Sequence, residues 1–128
     1  QVAPPCFDAP ETIALFDHKT RYLFSADCFG ALTEQPVETL NDIPVDALRD
    51  GCITWATVDA PWLHRVEPGL FQTSLNAIQL LNPEVILSAH LPPAEHMTQR
   101  LLGYLAEAHR APVFVGPDQQ ALERMLVA

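Results

Sequence analysis

Apolar residues in this chain follow two rhythms, and the order in which they alternate limits the fold more than any other feature. Residues 12–16, 21–25 and 85–89 are brief apolar segments, too short for helices and rich in β-branched or aromatic side chains. They predict strands. Leu70, Phe71, Leu75, Ile78 and Leu81 instead recur at three- and four-residue steps, as do Met97, Leu101, Leu105 and Ala108. That spacing puts one apolar face on each of two helices. The 12 prolines stand singly or in pairs at the joints between segments, so they punctuate structure and do not signal disorder.

The polar Asp17-His18-Lys19-Thr20 between the first two segments predicts a β-hairpin. Residues 45–51 read as a short helix stopped by Gly51, and residues 52–66 as a helix interrupted at Pro61. Glu67-Pro68 opens the next helix and Asn82-Pro83 closes it. The buried strand over 85–89 leads directly into His90-Leu91-Pro92-Pro93, and a further helix carries Met97 to Ala108. Residues 112–115 predict a brief extended piece, and Asp118 caps a last helix bearing Leu122, Met125 and Leu126. Residues 1–128 thus read as one α+β domain, a sheet with helices packed on one face. Three strands make an incomplete sheet, and Gln1 opens in what reads as mid-domain sequence. The missing strands are expected from residues before it.

The net charge of −9, from 16 acidic against 7 basic side chains, repels nucleic-acid phosphates and anionic lipid heads. Neither nucleic acid nor membrane is an expected partner. Cys6, Cys28 and Cys52 form no Cys-x-x-Cys pair, which argues against a zinc ribbon or a dithiol redox motif. Buried free thiols in a reducing cytoplasm are the expectation. The five glycines are scattered, without the patterns of a phosphate loop, a dinucleotide fold or a nucleophile elbow.

Two side chains stand where an apolar strand gives way to a loop: Asp27 after residues 22–26, and His90 after residues 85–89. A strand end is a rigid mount that opens onto solvent. A carboxylate there can bind or bridge cations, and a neutral imidazole supplies nitrogen to zinc or iron. Each is also what an ordinary turn residue or a hydrogen-bonded histidine would look like. His18 falls in the hairpin turn and reads as solvated, and His64 as a packing or surface residue. His96 and His109 read as lying on one helix, 13 residues apart, too far to share a metal. Trp55 and Trp62 are expected in the core, with the lining of a pocket as the alternative.

Leu23-Phe24-Ser25-Ala26-Asp27-Cys28-Phe29-Gly30 resembles the LFS-x-D-x-FG segment of the metallo-β-lactamase fold, in the form found in flavodiiron proteins. Phe7-Asp8-Ala9-Pro10-Glu11-Thr12 is similar to the family's x-H-x-P-E-T segment, and Ser88-Ala89-His90 to its S-x-H segment. The three segments occur in the family's order from about Pro5 to Pro93. Two departures stand out: Asp8 replaces a ligand histidine, and Leu91 stands where the family has glycine. The family's main cluster, His-x-(His or Glu)-x-Asp-His, is not in these residues.

The resemblance implies an αββα sandwich of which this chain is the C-terminal half, with the main ligand cluster upstream. It implies two metal ions, iron or zinc, in the full-length protein, with Asp27 bridging, His90 as a ligand, and Asp8 either a ligand or a lost one. The isolated 128 residues need hold none. Three functions follow as expectations. One is an iron site handling or sensing dioxygen or nitric oxide. Another is a zinc-dependent hydrolase acting on a small-molecule substrate. The third is a metal-free binding or scaffold domain. A homodimer is compatible with all three.

Overall fold

The computed structural model describes residues 1–127, and they form the expected α+β arrangement. Four strands, β1 (Leu15–Asp17), β2 (Tyr22–Phe24), β3 (Val85–Leu87) and β4 (Ala94–Glu95), make one mixed sheet in the order β1-β2-β3-β4. The helices are α1 (Val45–Asp59), α2 (Pro68–Leu81), α3 (Thr98–Ala108) and α4 (Gln119–Val127).

The hairpin forms where the polar turn predicts it. Asp17 organises that turn: its carboxylate accepts from the Lys19 amide at 3.0 Å and from the Thr20 hydroxyl at 2.6 Å. These bonds hold the Asp17 carboxyl below its ordinary range. β2 then pairs in parallel with β3, Leu23 opposite Ile86, across a long crossover that contains α1 and α2. β4 pairs antiparallel with β3. It was not expected from the sequence, because two residues directly after Pro92-Pro93 give no readable alternation.

Alternation along the strands divides the sheet into unlike faces. Leu23, Ile86 and Ala94 point inward and join Leu48, Leu63, Phe71, Leu75, Ile78, Leu101 and Leu105 in the core. α1 and α2 both pack on α3, and Arg49 of α1 reaches Glu107 of α3. The other face carries Ile13, Leu15, Tyr22 and Phe24, all exposed.

Several expectations are corrected. Gly51 does not stop a helix; it lies buried inside α1, which runs unbroken from Val45. A Cβ there would run into the Leu32 carbonyl oxygen, so this glycine serves the close approach of a neighbouring loop. The Leu32 amide donates to the Gly51 carbonyl at 3.1 Å. α1 stops at Asp59, before Pro61, and only a single 3-10 turn, Leu63–Arg65, follows.

His96 and His109 do not share a helix. His96 precedes α3 with a left-handed φ of 56°, and His109 is the residue that ends it. Residues 112–115 pair with no strand and are exposed. Asp118 caps α4 as expected, accepting from the Ala121 amide at 2.8 Å.

Candidate metal centre

The parallel pairing of β2 with β3 carries the two chain ends beyond them to the same edge of the sheet. Asp27 follows one and His90 the other. Their side chains meet, His90 Nε2 lying 2.8 Å from Asp27 Oδ1. Both are partly open to solvent, with side chains 42% and 34% exposed, so the pair is reachable from outside.

The loop that bears Asp27 is fixed from every side. The Ser25 hydroxyl, fully buried, donates to the Cys28 carbonyl at 2.7 Å, and the Ser25 amide to the Leu87 carbonyl at 2.9 Å. The Ala89 amide donates to the Ala26 carbonyl at 2.9 Å, and the Ala31 amide to the His90 carbonyl at 3.2 Å. Ala26 and Phe29 both hold left-handed backbone, with φ of 53° and 65°. Such angles are costly for residues other than glycine and persist only where surroundings over-determine them. Here they bracket Asp27.

Asp8 is exposed, and its Oδ1 accepts from the Thr12 hydroxyl at 3.3 Å. It does not join the Asp27–His90 pair directly. Cys6, two residues before Asp8, and Cys28, next to Asp27, are both buried in the core. The Cys6 thiol is held well above its ordinary range by a hydrogen bond with Cys28, then by burial, then by the charges of Cys28 and Asp59. All three cysteines are free and buried.

Sequence reasoning did not single out Asp59, the last residue of α1. Its carboxyl is pushed up first by burial, then by Asp27 and then by Asp8, while His90 acts in the opposite sense. All three candidates therefore lie within its electrostatic reach. Its Oδ2 is shielded from solvent and has no hydrogen-bond partner. Asp59 stands four residues after Trp55, hence on the same side of α1.

Both tryptophans are half-buried, and each grips one of these segments. The Trp55 indole N–H donates to the Asp27 carbonyl at 2.9 Å, and its ring lies 4.2 Å from that of His90. The Trp62 indole N–H donates to the carbonyl of Phe7, the residue before Asp8, at 2.7 Å. Its ring lies 4.6 Å from the Phe7 ring. Two other histidines have partners elsewhere: His18 is exposed against Phe16, and His109 stacks on Phe71 and bonds the Val66 carbonyl.

A solved structure described as the peroxy diiron species of the chemotaxis sensor ODP shares this fold. It aligns with a TM-score of 0.52 at 17% identity, over 95% of this chain and 46% of that one. The chain thus spans about half the length of that sensor structure. No family model and no curated protein matches the sequence.

The donors suit iron or zinc in kind: carboxylate oxygens of Asp27, Asp59 and Asp8, and an imidazole nitrogen of His90. The orphaned Asp59 oxygen is a further acceptor within electrostatic reach of the other three. Among the described residues, however, no three His, Cys, Asp or Glu side chains converge closely enough to hold one ion. Asp27 and His90 fit a partial ligand set that needs further donors. A shallow cavity of about 350 Å³ opens beside His90, walled by Thr33, Pro36, Val37 and Leu91.

Proposed function

We propose that this chain forms the C-terminal half of a metallo-β-lactamase-like domain of flavodiiron type, whose iron site handles or senses dioxygen or nitric oxide. The observation that carries the reading is the meeting of Asp27 and His90, 63 residues apart in sequence, at the ends of adjacent parallel strands. The likeness to a diiron sensor supports the choice of iron. The exposed apolar row Ile13, Leu15, Tyr22 and Phe24 supports the sandwich, since a second sheet would cover it. No helix among the described residues is long and apolar enough to cross a membrane.

In such a site Asp27 and His90 would be the ligands that this chain contributes. Bound iron supplies redox chemistry and open positions for a small diatomic molecule. His90 Nε2, the atom that faces Asp27, would be the nitrogen offered to the metal. The loop bonds around Ser25 and Ala26 hold Asp27 in place.

A metal-free binding domain is the second reading. It is favoured by the hydrogen bond that already satisfies Asp27 and His90 together, and by Asp8 lying against Thr12. Purification of the full-length protein without added metal, followed by iron and zinc analysis, separates the readings. Two irons per chain with an absorbance change on exposure to dioxygen are expected. Two zincs and no redox response would replace the iron reading with the hydrolase one. Protein free of both metals, and unable to take up ferrous ion, would leave the metal-free domain.

A further inference from the structure

We propose that Trp55 is a positioning residue for the Asp27–His90 pair, and that Gly30 is glycine so that the indole can reach it. This inference rests on the reading of Asp27 and His90 as ligands, and deepens it. Trp55 touches both members at once. Its N–H donates to the main-chain carbonyl of Asp27 at 2.9 Å, while its ring lies against the imidazole of His90, centroids 4.2 Å apart and planes inclined by 40°. The same Asp27 carbonyl accepts the Gly30 amide at 3.2 Å, so the indole closes the loop from the α1 side.

Room for this arrangement exists only because residue 30 lacks a side chain. A Cβ on Gly30 would lie 2.6 Å from Trp55 Nε1, 2.8 Å from Trp55 Cδ1 and 2.8 Å from His90 Cβ. Contacts that short cannot be kept, so any larger residue moves the indole, the imidazole or both. The φ of Gly30 is not positive, so backbone freedom does not explain the glycine; space does. Trp55 thereby limits how the imidazole turns, and leaves Nε2 facing Asp27. A ligand imidazole held by a neighbour in one orientation binds more tightly than one free to rotate, because less freedom is lost on ligation.

The test is NMR of the His90 ring in the full-length protein, joined to titration with ferrous ion alone. In the wild type the His90 ring protons are expected upfield, shifted by the indole face, with one tautomer dominant. Trp55→Leu and Gly30→Ala are each expected to remove that shift and mix the tautomers. Each should also weaken ferrous-ion binding by roughly 10–100-fold, with far-ultraviolet circular dichroism unchanged. Trp55→Phe keeps a ring against His90 but no N–H, and should retain the upfield shift with a smaller loss of affinity.

A folded Trp55→Leu protein with the wild-type tautomer and wild-type ferrous affinity would overturn the proposal. Should Trp55→Leu fail to fold, wild-type behaviour of both Trp55→Phe and Gly30→Ala overturns it equally. A wild type that takes up no iron, but whose His90 tautomer changes in Trp55→Leu, upholds the positioning role and removes the iron reading instead.

Discussion

Asp59 illustrates how a single carboxylate can be placed against its own preference. Burial and the neighbouring Asp27 and Asp8 raise its pKa, so above that pKa folding must hold a charge that the surroundings disfavour. The sign follows from linkage: the penalty is fully present near neutral pH, shrinks as pH falls through the raised pKa, and is gone below the ordinary carboxylate range. Asp59→Asn should therefore raise the melting temperature near neutral pH. The gain should fade in thermal melts at progressively lower pH. Cys52 gives a second test at this scale. Burial pushes its thiol up to about 12, which leaves almost no thiolate in neutral solution. A thiol reagent at mildly alkaline pH should leave all three cysteines unmodified in the native protein and label all three once it is denatured. The placement of Asp27 and His90 at strand ends was legible in the sequence because each follows an apolar run. Asp59 was not, since an acid near a helix end ordinarily faces solvent. Its four-residue distance from Trp55 was the one available sign, and it gained meaning only when Trp55 was found to touch Asp27 and His90.

Gly51 and Gly103 both lie inside helices, and the two should respond to alanine with opposite signs. Gly103 in α3 is exposed, with nothing near the position a Cβ would take. Gly103→Ala should stabilise by about 0.5–1 kcal/mol, the ordinary gain for relieving a helical glycine. At Gly51 the same methyl group meets the Leu32 carbonyl, and overpacking against main chain costs about 1–3 kcal/mol, enough to exceed that gain. Urea denaturation of the two variants, read at matched slopes, decides the signs. Helix α2 offers a pH-dependent counterpart. Glu67 caps it, accepting from the Leu70 amide at 3.0 Å, and main-chain bonds from Gly69 and then Leu70 hold its carboxyl below the usual range. A lowered pKa contributes stability above the unfolded value that is lost as pH falls through the folded one. The difference in melting temperature between wild type and Glu67→Gln should thus shrink in acid. α2 and α3 were legible because their apolar periodicity is long. α1 was cut in two because glycine usually ends helices, and the loop that requires Gly51 comes from residue 32, invisible to local pattern.

Across the whole molecule, the sheet buries one face and leaves Ile13, Leu15, Tyr22 and Phe24 on the other. If the sandwich reading holds, these residues are half of an interface. Leu15→Ser should then change the stability of the 128-residue chain by no more than about 0.5 kcal/mol, the usual scale for exposed positions. In a protein whose second sheet covers that face, the same change should cost about 1.5–3 kcal/mol. Calorimetry of both forms, with and without the substitution, makes the comparison; equal effects would count against the sandwich. The one-sided layering itself was readable from alternation in short strands, whereas β4 depended on tertiary pairing.

The parallel register that joins β2 to β3 has a kinetic meaning as well. Asp27 and His90 can meet only after the intervening chain, with α1 and α2, has closed a loop of 63 residues. Loop-closure entropy delays such contacts relative to hairpins and helices. The pair is therefore a product of late assembly. A partly folded chain would present a lone carboxylate or a lone imidazole, so the paired arrangement would arrive only with the finished molecule.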